Sequence, residues 1–260
     1  MKRNKLKTII IVLAGLMIAE GIVIICLLLA RPKKPVITVR PIQGRIAIVI
    51  DDWGYHQDTL GIASQIHYPL TAAVLPGGTH SRDVAKKLHD MGLEIILHLP
   101  MEPFEEYGLE KNTILASMNE GKIVKIISDD LAKVKLCKGV SNHMGSKLTS
   151  DPKAMAVVFK ELKKRKLYFL DSLVTANSVC ADLAKKMQLK FARRDIFLDN
   201  TEEPEYIRLQ IAKLKKKAIV YGRAIGICHD RRITLQVLKE VMPEIAREGF
   251  KFVFVSELVR

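Results

Sequence analysis

Two adjacent aspartates, Asp51 and Asp52, close an unbroken apolar run in IAIVIDDWGY, and histidines and further acids recur behind similar runs later in the chain. His98 lies in ILHLPMEP, His143 in GVSNHMGS, Asp171 in FLDS, Arg194 and Asp195 in RRDIFLDN, and His229 with Asp230 in AIGICHD. Two neutral imidazoles and one carboxylate form a facial donor set suited to zinc or a similar divalent ion, with positions left for water and substrate. A second carboxylate beside such a set can take a proton from water that the ion acidifies. Adjacent aspartates divide these tasks when a strand ends and the backbone turns, so that both side chains approach one centre. The plainer alternative is that one of them caps the following turn. His56 and His67 bracket a helix and His89 lies within one, which fits surface or packing roles; His80, in PGGTHS, precedes a helix and either caps it or faces the site.

The elements that must hold these residues follow from periodicity. Continuous β-branched runs read as strands buried on both faces, the mark of a parallel sheet inside helices. Strands are expected at Arg45–Ile50, Leu70–Leu75, Glu94–Leu97, Gly139–Ser141, Tyr168–Leu170, Phe191–Ala192, Ala224–Cys228 and Phe252–Val255. Helices are expected near Gln57–Ile66, Ser81–Met91, Lys122–Lys135, Pro152–Lys166, Val179–Met187, Pro204–Tyr221 and Thr234–Arg247, with the TSDP run at 149–152 as a start signal and Gly92 and Gly249 as stops. Such alternation means a (β/α) barrel or a doubly wound sheet. Every candidate residue falls just past a strand's C-terminal end, and a barrel gathers those ends on one face. A doubly wound sheet would usually carry a glycine-rich phosphate loop at its first turn, which DDWGY lacks. The barrel is preferred, as one domain over residues 45–260.

The formal net charge is +14, but residues 1–40 hold eight of the Lys and Arg against Glu20, and blocks such as 163–166 and 213–217 fit solvated helix faces. These blocks could also attract an anionic surface. Nucleic acid is excluded as a partner, because no aromatic-interleaved basic motif accompanies the charge. Ile9–Ala30 is apolar except for Glu20 and long enough to cross a bilayer as a helix. Its length, and the lack of a small-residue cleavage site, favour an uncleaved anchor over residues 1–30, with the N-terminus cytoplasmic and the domain extracytoplasmic or periplasmic. Residues 31–44 read as a Pro/basic linker. Cys137, Cys180 and Cys228 show no framework spacing and argue against a disulfide scaffold.

Taken together, IDDWGY, HLPMEP, GVSNHMGS, FLDS, RRDIFLDN and AIGICHD resemble the divergent polysaccharide deacetylases, the YibQ-type branch of the NodB-homology superfamily, over about residues 44–260. The resemblance implies an α/β fold, a distorted (β/α) barrel of NodB-homology type preceded by an N-terminal transmembrane helix. It implies metal-dependent removal of acetyl groups from a polysaccharide, with Asp51 as general base and Asp52 as ligand to a divalent metal, zinc by preference. The wider family supplies two histidine ligands four residues apart on one segment. Here Met101 and Glu102 stand where the second would fall, so His143 from the next strand is expected to complete the set begun by Asp52 and His98. His229 matches the general acid, although Cys228 and Asp230 flank it where that branch is expected to carry glycine and proline. Asp171, Arg194 and Asp195 are expected to orient His229 or grip substrate, Asn142 and Ser146 to hydrogen-bond sugar or acetyl groups, and Glu102 to act as a ligand or as a carboxylate behind the ligands. The implied partner is an acetylated envelope polysaccharide such as peptidoglycan, with the membrane engaged through the N-terminal helix. Two alternatives stay open: a catalytically inactive glycan-binding or envelope-scaffolding module on the same fold, and hydrolysis of another ester bond such as a phosphoester.

Overall fold

The computed structural model describes residues 2–29, 42–105 and 108–260. They belong to two compact units, Met1–Arg40 and Pro41–Arg260. In the first, helix α1 (Lys2–Leu29) contains a 21-residue stretch, Lys7–Leu27, of mean hydropathy 2.8, long and apolar enough to cross a membrane. Most of the linker read at 31–44 lies outside the described residues, and its last residue, Gly44, already belongs to the first strand.

The second unit alternates strands with helices in the order β1 (Gly44–Trp53), α2 (Leu60–Ala63), β2 (Thr71–Val74), α3 (Ser81–Asp90), β3 (Glu94–Met101), α4 (Glu120–Lys133), β4 (Gly139–Met144), α5 (Pro152–Lys164), β5 (Tyr168–Asp171), α6 (Cys180–Met187), β6 (Phe191–Arg193), β7 (Ile196–Phe197), α7 (Pro204–Tyr221), β8 (Arg223–His229), α8 (Arg232–Arg247) and β9 (Phe250–Phe252). All strand pairings are parallel. The sheet runs β6-β5-β4-β3-β2-β1-β8-β7, with β9 on β1. β6 and β7 are its two ends, so the barrel expected from sequence is a curled half-barrel with an open seam.

The central strands β2, β3 and β5 bury both faces throughout, as does β1 over Ile46–Asp51, as the β-branched runs foretell. Along β1, Ile46, Ile48 and Ile50 join the cluster under the helices, while Ala47 and Val49 join the inner cluster. Full burial of such side chains is worth about 1.5–3 kcal/mol each. The inner face is filled by small and β-branched residues, by Tyr168 and by Val253, Val255 and Leu258 of the last segment. That segment is where sequence reading placed a strand at Phe252–Val255. The strand instead ends at Phe252, and a 3₁₀ turn, Val255–Glu257, tucks the chain back into the concave face.

Local signals operate as expected in several places. Asp151 accepts bonds from Lys153 N and Ala154 N at the start of α5, with Pro152 at the first helical position. The expected helix at Gln57–Ile66 shrinks to Leu60–Ala63, because the residues after β1 are spent on a close turn. In that turn Gly54 has φ +127°, and a side chain there would meet Ser81 Oγ at 2.8 Å. Among the described residues the cysteines are free thiols.

Candidate active site

Strand parity decides what reaches the head of the half-barrel. The inward series Ala47–Val49 continues to Asp51, Ile96 continues to His98, and Ile225–Ile227 continues to His229. The register of β1 on β8 sets Asp51 directly beside His229, and that of β3 on β4 sets His98 beside Ser141 and Pro100 beside His143. The polar cluster is thus the top layer of the inner core, where strand ends replace aliphatic side chains with ionisable ones.

Adjacent strand residues normally point to opposite faces, so Asp51 and Asp52 need a device to share one centre. The device is a bulge: pairing to β2 runs Ile50↔Ala72 and then Trp53↔Val74, so that two residues of β1 oppose one of β2. Asp52 takes φ +67° within it, a conformation that costs a non-glycine residue about 1–3 kcal/mol and collects at functional sites. The fully buried Trp53 anchors the strand beyond the bulge.

Asp52 Oδ1 lies 3.3 Å from His98 Nε2 and 3.1 Å from His143 Nδ1. The donor atoms of these three residues all fall within 4.8 Å of one another. A tetrahedral ion with bonds of about 2.0–2.2 Å requires donor separations of roughly 3.3–3.5 Å, and the two distances from Asp52 to the histidines lie near that range. The other nitrogen of His98, Nδ1, is 2.8 Å from Ser141 Oγ. A hydroxyl both donates and accepts, so the ring keeps a partner in either tautomer: with Nδ1–H directed at Ser141 the Nε2 lone pair faces the centre, and with the proton on Nε2 the ring donates to Asp52. Burial, opposed by the hydrogen bond to Asp52, pushes His98 down to about 4, which keeps it neutral and able to ligate. Burial would raise Asp52, but the hydrogen bonds from His143 and His98 hold its carboxyl well below the usual carboxylate range.

Asp51 and His229 flank this set. Asp51 is 3% exposed, its Oδ2 lies 3.7 Å from His98 Nε2, and its buried Oδ1 has no hydrogen-bond partner among the described residues. A buried carboxylate oxygen without a donor is a rare expense in a fold and marks a place for a proton-bearing ligand. Burial, with the neighbouring charges of Asp52 and Asp199, holds Asp51 well above its ordinary pKa, and Arg194 acts the other way. A dication on Asp52 would add to the pull of Arg194. His229 Nε2 lies 3.8 Å from Asp52 Oδ2, and its Nδ1 lies 3.1 Å from Asp199 Oδ1. Asp199 Oδ2 accepts from His229 N and Thr234 Oγ1 as well. The Phe197 ring packs on the imidazole at 5.1 Å, and the Arg194 guanidinium covers that ring at 4.9 Å.

Asp199 is the residue that sequence reading missed. The sequence pattern predicts one strand here, Phe191–Ala192, which puts Arg194 and Asp195 at its exit. A second strand, β7, follows, and its exit delivers Asp199. The alternation Phe197–Asp199 behind an apolar IFL triplet, ended by the turn-making DN, was the available signal.

The remaining expected residues are placed as follows. Arg194 stays at the head, donating through Nε to Ser172 O and through Nη2 to Leu173 O. Asp171 accepts from Leu173 N and Ser178 Oγ and holds the loop that carries those carbonyls. Asn142 is 1% exposed and ties β4 to the same loop, accepting from Ser172 N and donating to Met144 O. Ser146 accepts from Phe104 N and donates to Glu105 Oε2. Glu102 pairs with Lys147 Nζ at 2.8 Å and accepts from Ala116 N, so it braces a loop and is not in the donor set. Asp195 is a correction: it accepts from Ile225 N, four residues below His229 on β8 and about 13 Å along the strand, and its side chain lies 3.7 Å from Lys217 Nζ. It does not reach the cluster.

The parallel half-barrel thus carries an Asp–His–His set at its head, with a buried carboxylate on one side and a histidine–aspartate pair on the other. A family model described as divergent polysaccharide deacetylase matches residues 48–259, and the chain belongs to that family. It is 35% identical over 201 residues to the uncharacterized protein YibQ of Escherichia coli K12, covering 77% of this chain and 63% of that protein, so it spans less than two thirds of that relative's length. The crystal structure of the uncharacterized protein ATU2773 from Agrobacterium tumefaciens C58 matches with TM-score 0.79 and 25% identity, over 88% of this chain and 93% of that one. The catalytic domain of peptidoglycan N-acetylglucosamine deacetylase from Eubacterium rectale shares the fold at TM-score 0.53 and 12% identity, over 85% and 94% of the two chains.

Proposed function

We propose that this protein is a metal-dependent deacetylase of an envelope polysaccharide, held at the membrane by α1. The observation that carries the reading is the convergence of Asp52, His98 and His143 on one point, with a buried carboxylate and a paired histidine to either side. Asp52, His98 and His143 would hold the ion, and the mixed imidazole–carboxylate donor set favours zinc. A bound zinc ion supplies Lewis acidity, polarising an acyl carbonyl and making water easier to deprotonate.

The chain's own groups then divide the proton work. Asp51, through its free Oδ1, accepts the proton of the attacking water. His229 delivers a proton from Nε2 to the departing nitrogen or oxygen, while Asp199 at Nδ1 fixes the ring and stabilises its charged form. Arg194 steadies the anionic state of Asp51 and, through Phe197, the position of His229. The family and the peptidoglycan deacetylase fold neighbour support an N-acetylated glycan such as peptidoglycan as substrate, and α1 supports an envelope setting with the domain outside the cytoplasm.

The test is to purify residues 41–260, measure bound metal, and assay acetate release from N-acetylated peptidoglycan fragments. Stoichiometric zinc with acetate release that stops in Asp51→Asn is the expected result. Glycan binding without acetate release, unchanged in Asp51→Asn, would instead establish the inactive glycan-binding module. Turnover of model phosphoesters alone would establish a different hydrolase.

A further inference from the structure

The foot of the sheet, at the strands' N-terminal ends, has the opposite character from the head. Because all strands are parallel, their starts lie there, and Arg45, Lys138, Lys166, Lys190, Arg223 and Lys251 stand at or just before them, with the buried Glu94 opening β3. Lysines in the last turns of α4, α5 and α6 add to this charge, and for them helix-dipole stabilisation is a sufficient reason. The arginines at the seam belong to no helix. There a cavity of about 410 Å³ opens between β6 and β8, lined by Arg193, Asp195, Lys217, Tyr221, Arg223 and Arg260. Asp195 offsets only part of this charge, and it is already shared between Lys217 and Ile225 N. Burial lowers the pKa of the Arg223 guanidinium, and the charges of Arg260 and Arg45 lower it further, so these cations crowd one another.

Apolar side chains stand beside the cations. Val220 is 71% exposed, Tyr221 70% and Ile42 62%. Ile42 belongs to the same place, since Gln43 N bonds Gly249 O, Arg45 N bonds Gly222 O, and Gly44 touches Ala218 of α7 closely enough that a Cβ would lie 2.5 Å from its carbonyl oxygen. Residue 42, the first described residue of this unit, therefore lies at this end. Exposed aliphatic and tyrosine side chains next to arginines match the chemistry of a bilayer interface.

We infer that the foot of the half-barrel is a docking surface for anionic phospholipid, with the seam cavity taking the headgroup phosphate between Arg193, Arg223 and Arg260 while Val220 and Tyr221 enter the interface. The head, with Asp51, Asp52 and the histidines, then faces away from the lipid. This rests on the reading of α1 as a membrane anchor. Fractionation of the full chain tests that reading, whereas vesicle binding by the unit that lacks α1 tests this one.

The unit 41–260 carries the whole core described above and serves as the probe. It is expected to co-sediment with vesicles of phosphatidylglycerol and phosphatidylethanolamine, to remain in the supernatant with phosphatidylcholine, and to be released by salt. Arg193→Gln with Arg260→Gln, both at exposed positions, should weaken partitioning about 30-fold, the equivalent of about 1 kcal/mol per cation. Val220→Ser with Tyr221→Ser should weaken it with little change in salt dependence. Lys122→Gln with Lys153→Gln removes the same charge from the N-terminal turns of α4 and α5, at the other end, and should change nothing. No vesicle binding, an equal loss in the Lys122/Lys153 variant, or calorimetric binding of inorganic phosphate without vesicle binding would each overturn the inference. Circular dichroism confirms that every variant is folded.

Discussion

The two ends of one sheet treat charge in opposite ways. At the head the ionisable groups are buried or half-buried, and apart from the free oxygen of Asp51 they answer to neighbours: Asp52 to two histidines, His229 to Asp199, Asp171 to Ser178 and a backbone amide. At the foot the cations are largely exposed, and their pairs, such as Lys215–Glu248, lie at the surface, where an ion pair is worth about 0–1 kcal/mol. Substitutions at the head should therefore be expensive and specific in what they abolish, and those at the foot cheap for folding and visible only in association.

The largest expected effect is on metal. His98→Ala and His143→Ala each remove one of three protein donors, so zinc measured by elemental analysis should fall from stoichiometric to near zero, with acetate release falling to background. Full metal retention in both variants would overturn the donor set. Next comes His229, which lies outside the set. His229→Ala should lower kcat by about 10²–10⁴-fold while zinc stays bound, and Asp199→Asn should lower it in the same direction by removing the charge that fixes the ring. If Asp199→Asn lost zinc instead, Asp199 would belong with the metal and not with the acid.

A third effect sharpens the comparison through pH, measured with chelator present. His98 is held at about 4, against 6.5 for a free imidazole, so between these values the unfolded chain carries a proton that the folded one lacks. Its contribution to stability is complete above pH 6.5 and is lost as pH falls toward 4, by an amount on the order of 3 kcal/mol. Asp230 has the opposite slope. Burial raises it from 3.8 to about 6, so its contribution is complete below 3.8 and is lost as pH rises through about 6. The slopes oppose each other in the overlapping range, and only the difference between wild type and His98→Gln isolates the histidine. Urea unfolding of both proteins at pH 7 and pH 5 is the measurement, with a smaller acid-induced loss expected in the variant.

Much of this is legible in the sequence. The β-branched run ending in Asp51 and Asp52 specified a doubly buried parallel strand, and the recurrence of His98, His143 and His229 at similar exits specified a shared face. Position alone could not say how two adjacent acids reach one centre, because the bulge depends on how β1 pairs with β2, and pairing between distant strands leaves no local trace. Nor could it separate Asp199 from Asp195, since a two-residue strand carries too little periodicity to register. Glu102, Asn142 and Ser146 drew attention because polar residues near strand exits resemble substrate contacts. Their hydrogen bonds go to Lys147, to Ser172 N and Met144 O, and to Phe104 N and Glu105, contacts visible only once the loops are in place.

The smallest expected effect completes the contrast at the foot. Lys186 is exposed in the last turn of α6, where a cation faces the helix's partial negative end. Lys186→Gln should cost about 0.3–1 kcal/mol of unfolding free energy at low salt and close to nothing at high salt. Arg193 and Arg260 belong to no helix and are set among other cations around the seam cavity, which the last turn of α7 also lines. Replacing either one should leave stability unchanged or raise it slightly as repulsion is relieved, with the gain also fading in salt. Denaturation of the three variants at two ionic strengths separates the cases. A loss for Lys186→Gln beside no loss for the arginines means that the foot holds two populations of charge, one that serves the helices and one that the fold carries at a cost. A clear loss for the arginines would mean that they serve the fold as well, and the seam would then be no different in kind from the paired charges at the head.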